Sequence, residues 1–238
     1  AKDKVLMGVE RKSMIISDEE KRNTAFHEAG HALTAALIPE ADPIHKVTII
    51  PRGLALGLTQ QLPLDDRYTY TKEYLEAQLS VLMAGRVAET LFLNKTTTGS
   101  ANDFEKATEI ARKMVCQWGM SELGPLTFGE REDLIFLGRD LTAHKDFSEK
   151  TSERIDDEVK KIIMRCFNRT QELLEANRDK LLKIAELLLE KEAVGSEEIN
   201  AIVDGKMKPE KAPAAVPAPA PEPAVEPAAA PPQGPGES

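Results

Sequence analysis

Residues 27–31 read HEAGH, and on an α-helix this spacing does chemistry. His27 and His31 stand one turn apart and point the same way, so both imidazoles can reach one metal ion. Glu28 lies beside them, placed to take a proton from a water that such an ion activates. The residue types predict a zinc hydrolase, with Zn²⁺ as cofactor, one ion per chain. The alternative, a solvated helix carrying two unrelated histidines, leaves Ala29, Gly30 and Ala32 unexplained. Small residues there let another element approach the metal closely.

The elements that must position these groups are legible nearby. Ser17-Asp-Glu-Glu20 reads as a helix N-cap with a capping-box glutamate. No proline follows before Ile38, and Ala25, Phe26, Ala29, Ala32, Leu33, Ala36 and Leu37 form a broad apolar face. Lys46–Ile50 and Leu56–Pro63 read as two strands, with Pro51 and Gly53 turning between them. Helices are expected over Thr71–Leu93 and Ser100–Trp118, where Gly119 stops the second. Two long amphipathic helices follow at 148–176 and 177–192, then a short one at 196–204 that starts near Ser196. Their apolar stripes are expected to be core more than partner surface. Ala1–Lys12 also has helical character, and 121–147 is loop-rich. Gly85 costs helix propensity, which predicts a close approach by another helix. The fold class is mainly α-helical with a small β-hairpin or sheet, around a zincin-like HExxH helix.

Composition sets limits. The chain has 238 residues, of which 1–205 are expected to form one domain. Ten of the fifteen prolines lie in 206–238, a Pro/Ala-rich segment too poor in apolar residues to offset its ordering entropy, so a disordered tail is expected. The net charge of −9 argues against nucleic acid as a partner. Cys116 and Cys166 lie far apart in apolar patterns and read as buried free thiols. No apolar run is long enough to cross a membrane, so no membrane contact by this chain itself is expected. The first residue is Ala, which suggests a processed or excised piece of something longer.

A catalytic zinc takes three protein ligands and keeps a position for water. The extended HExxHxxGxxH pattern is absent, because Thr34 and Leu37 stand where its Gly and His would be. His45 and His144 are weak candidates for the third ligand. Glu89 and Asp103 are better, since each sits on a helix that could meet the first. The residues alone leave both open, with ordinary alternatives: a solvated face for Glu89, a helix-dipole partner for Asp103.

HEAGHAL at 27–33, IIPRG at 49–53, MAGRVAE at 83–89, TTGSANDFEKAT at 97–108, ARKMV at 111–115 and MSELGPLTF at 120–128 occur in this order. Together they resemble the peptidase domain of the FtsH family of ATP-dependent zinc metalloproteases, over roughly residues 1–204. The resemblance implies Asp103 as the third zinc ligand and Glu89 as a supporting residue near the metal. It implies an endopeptidase acting on unfolded polypeptide, with Glu28 as the catalytic base. SAND stands here where many relatives have ASND, which leaves the Asn and Asp in place.

The family's P-loop, GxxxxGK[ST], does not occur in this sequence. The chain is therefore expected to be the peptidase part alone, with ATP used only by an upstream AAA module. The resemblance further implies a homo-hexamer, anchored at the cytoplasmic face of the inner or plasma membrane in the full-length protein. The strand at 56–62, above all Gly57, Leu58 and Thr59, is expected to bind substrate backbone by β-addition. Two rival readings remain: a non-catalytic assembly module, for which Glu28 has no use, and a hydrolase of small amides, which needs a closed pocket.

Overall fold

A computed structural model of the chain describes residues 16–51, 56–62, 67–128 and 147–206. The expected N-terminal helix at 1–12, the 51–53 turn beyond Pro51, His144 and the Pro/Ala-rich tail beyond Lys206 lie outside the described residues.

Helix α1, Asp18–Leu37, carries HEAGH. The capping box forms as expected. The Ser17 hydroxyl accepts the Glu20 N–H at 3.2 Å, and the Glu20 carboxylate accepts the Ser17 N–H at 3.4 Å. Helix α2, Lys72–Leu93, starts on the Thr71 hydroxyl, which accepts the Tyr74 N–H, and ends at Asn94 in the left-handed region. A short 3₁₀ turn, Thr98–Ser100, leads into α3, Ala101–Cys116. Gly119, with φ +59°, turns the chain after it. Helices α4, Glu149–Ala176, and α5, Arg178–Lys191, are followed by α6, Ser196–Val203.

The expected small sheet forms, with its two expected strands paired antiparallel and one strand more. Strand β1, Ile44–Thr48, pairs antiparallel with β2, Leu58–Gln61, and also with a third strand, β3, Ala193–Gly195. Against the expected 46–50 and 56–63, the first strand is displaced and the second shortened, and β3 is a strand the sequence pattern does not mark. Three residues carry no period-two signal. They become a strand by pairing Val194 with Val47 across the molecule. The order β2-β1-β3 makes β1 central and leaves β2 at an edge.

Two apolar clusters hold the fold, and α2 belongs to both. One joins α1, β1, α5 and α6 through Phe26, Leu33, Val47, Ile184, Leu188 and Ile199. The other joins α3 and α4 through Met83, Met114, Ile155, Val159 and Ile162. Each large side chain buried this way stabilises the fold by about 1.5–3 kcal/mol. The α4 stripe is therefore core. Helices α1 and α2 touch at their small residues: a Cβ on Gly30 would stand 2.5 Å from the Ala84 carbonyl oxygen and 2.8 Å from the Ala88 methyl. A larger residue at position 30 would force the two helices apart.

Cys166 is buried and its thiol is pushed up to about 11 by desolvation. Cys116 is half-buried, more open than its apolar pattern suggested.

Candidate metal and catalytic site

Three side chains converge where α1, α2 and α3 meet. His27 Nε2 and His31 Nε2 are 3.0 Å apart, and each lies 3.3 Å from Asp103 Oδ2. The helix brings the two histidines together. Asp103 arrives from the first turn of α3, far along the chain. Ligands of a tetrahedral zinc at about 2.0–2.1 Å stand about 3.3 Å from one another. The triangle fits that ion with little adjustment.

The outer ring nitrogens explain why the inner ones face the triangle. His31 Nδ1 donates to the Val81 carbonyl of α2 at 2.7 Å. A carbonyl only accepts, so in neutral His31 the proton is on Nδ1 and the lone pair on Nε2. His27 Nδ1 donates to Glu89 Oε1 at 2.7 Å, with the same consequence. Two lone pairs and a carboxylate oxygen thus point at one spot. Such an arrangement repels itself unless a positive charge sits among them. In the metal-free chain a proton answers this field. Burial opposes a charge on His27, yet the carboxylates of Asp103 and Glu89 outweigh it and push the imidazole up to about 10. Burial likewise favours protonated Asp103, and the facing His27 and His31 override it, holding the carboxyl well below the usual carboxylate range.

Glu89 is 2% exposed, so it is not on a solvated helix face. Its Oε1 accepts from His27 Nδ1, and its Oε2 accepts from the Thr97 amide at 3.2 Å and hydroxyl at 3.1 Å. These bonds keep its pKa lowered against the desolvation that would raise it. Arg86 donates to the Thr97 carbonyl at 2.5 Å and lies over the Phe104 ring. Helix α2 therefore grips the turn that delivers Asp103. Reasoning from sequence missed Arg86 and Thr97. The Arg in MAGRVAE and the Thr-rich approach to Asp103 were the available signals.

Glu28 is buried beside the triangle, and its Oε2 accepts from the Thr59 hydroxyl at 2.6 Å. Gly57, Leu58 and Thr59 line an open cleft of about 950 Å³ together with His27, Glu28, His31 and Asp103. The Thr97–Gly99 turn, Asn102 and Lys106 line it as well. His45 is exposed on β1 and is not in the cluster. Among the described residues His27, His31 and Asp103 are the group able to hold a metal.

The description "Peptidase family M41" matches residues 14–202. The chain belongs to peptidase family M41. It is 55% identical over 214 residues to the ATP-dependent zinc metalloprotease FtsH of Acidobacterium capsulatum, covering 90% of this chain and 34% of that protein. It is 53% identical over 207 residues to the FtsH protease of Magnetococcus marinus, covering 87% and 31%. With the ATP-dependent zinc metalloprotease FtsH 4 of Sorangium cellulosum it shares 52% over 214 residues, covering 89% and 33%. The chain thus spans about a third of the length of these M41 relatives.

Proposed function

We propose that this chain is a zinc endopeptidase domain whose metal is held by His27, His31 and Asp103. The observation that carries the reading is the triangle of facing donor atoms with Glu28 beside it. When bound, zinc supplies a Lewis acid that polarises the scissile carbonyl and eases deprotonation of water. The chain's own residues do the rest. Glu28 accepts the proton of the attacking water and later returns it to the leaving amine. Glu89 and Val81 hold the imidazoles in the tautomer that turns Nε2 inward.

The cleft is open and has an edge strand along it, which suits an extended polypeptide better than a small amide. Gly57, Leu58 and Thr59 then offer backbone groups to substrate by β-addition. A folded protein cannot lay a peptide bond at this site, so the substrate is an unfolded segment. The matched region ends at residue 202, in keeping with a peptidase domain over 1–205.

In the longer protein, an AAA ATPase portion outside this chain delivers substrate. The relatives named as ATP-dependent, about a third of whose length this chain covers, support that arrangement. The resemblance to the FtsH family supports a homo-hexamer anchored at the cytoplasmic face of a membrane. No helix among the described residues is long and apolar enough to cross one.

The test is zinc content and cleavage of casein, an unfolded protein. Wild type should hold one zinc and cleave. Glu28→Gln should hold zinc and cleave nothing, because it removes the base and no ligand. Cleavage by Glu28→Gln at the wild-type rate would refute the reading.

A further inference from the structure

Strand β2 does something that an edge for substrate pairing does not require. Its residues Thr59 and Gln61, with Gly57 just before the strand, alternate with Leu58 and Gln60, so they share one face. Thr59 on this face meets Glu28: its hydroxyl lies 2.6 Å from Oε2 and 3.3 Å from the Glu28 carbonyl oxygen. The shorter contact is a charge-assisted bond to the carboxylate. Gly57 meets the same side chain. A Cβ there would stand 2.6 Å from Glu28 Oε1 and 2.8 Å from its Cγ. Any side chain at 57 would occupy space the carboxylate now fills.

The third residue of the face anchors the strand. Gln61 donates its amide to the Asp42 carbonyl at 2.7 Å, in the turn between α1 and β1. The Asp42 carboxylate is buried and accepts from the Tyr74 hydroxyl of α2 at 2.7 Å. The strand is therefore tied to α1 through Thr59 and, by way of Asp42, to α2.

We propose that β2 seats the catalytic base: Thr59 is a positioning residue that fixes one Glu28 oxygen, and Gly57 is kept bare to admit the carboxylate. One oxygen is held and the other is left to carry the proton. Substrate paired on β2 then lies on the same strand that orients the base, so peptide bond and base share one frame of reference. This rests on Glu28 being the general base.

The experiment uses the zinc-loaded full chain with fluorogenic casein, and compares Thr59→Val, Thr59→Ser and Gly57→Ala. Zinc affinity by chelator competition and thermal melting accompany each. Thr59→Val keeps the branched shape and removes the donor, so kcat should fall about tenfold to a hundredfold while KM stays within about threefold. Thr59→Ser restores the hydroxyl and should return kcat to within about threefold of wild type. Gly57→Ala should lower kcat with zinc affinity unchanged, and it decides the matter if Thr59→Val fails to fold. Wild-type kcat in folded Thr59→Val or folded Gly57→Ala, or a raised KM with unchanged kcat in them, overturns the positioning role alone. A zinc-loaded wild-type chain that cleaves no casein overturns the peptidase reading and this role with it.

Discussion

Replacing Gly85 with Ala should cost the chain its zinc and not its fold. Gly85 lies on α2 directly under the His27 ring. A Cβ there would stand 2.4 Å from Cε1, 2.5 Å from Nδ1 and 2.7 Å from Nε2. Carbon atoms settle at about 3.5–4.0 Å, so the ring must retreat by about 1 Å. It cannot do so freely, because Nδ1 is bonded to buried Glu89 at 2.7 Å and Nε2 faces Asp103 and His31. Metal–ligand distances tolerate only about 0.2 Å. Zinc affinity should therefore fall at least about 10–100-fold, the range seen when a ligand's support is disturbed. Stability moves less. Overpacking costs about 1–3 kcal/mol, and alanine regains about 1 kcal/mol of helix propensity, leaving a net loss of about 0–2 kcal/mol. Chelator competition gives the zinc constant, and melting in EDTA gives the metal-free stability. Zinc affinity within about threefold of wild type would refute the reasoning, since the ring would then have accommodated the methyl without leaving the metal.

Asp103→Ala and either His→Ala should lower bound zinc severely, while Glu89→Gln should weaken it about 10–100-fold by loosening His27; full zinc in Asp103→Ala with loss in Glu89→Ala would reverse the assignments. Stability should fall at high pH through Tyr74, which burial and Asp42 push up to about 12. An unfolded tyrosine ionises near about 10, so the neutral hydroxyl's contribution is complete below that pH and is lost as pH rises through about 12. Alkaline melts of Tyr74→Phe should show a shallower decline, and an unchanged slope would discount the Tyr74–Asp42 bond. Leu58→Pro removes a backbone donor from β2 and should slow casein cleavage with zinc still bound and melting little changed; wild-type rates in that folded variant would refute β-addition.

What the sequence determined by itself was local. HEAGH could be read as a paired ligand site because i and i+4 share a helix face. The Ser17–Glu20 cap could be read because its partners are three residues apart. The helical spans were legible for the same reason, since their periodicity is written in neighbours. Asp103 and Glu89 stood level on residue grounds, and only the resemblance to a family separated them. In the structure packing gives them different places. Small residues on α1 and α2 let the helices close, which buries Glu89 behind His27 and leaves Asp103 to face both rings. Strand β3 and the Thr59 hydroxyl's hold on Glu28 had no local signal at all. Ala193–Gly195 is a strand because β1 lies beside it, and Thr59 supports a base because β2 crosses α1 at that residue. Contacts between residues far apart in the chain depend on how whole elements pack, and no short window of sequence contains that information.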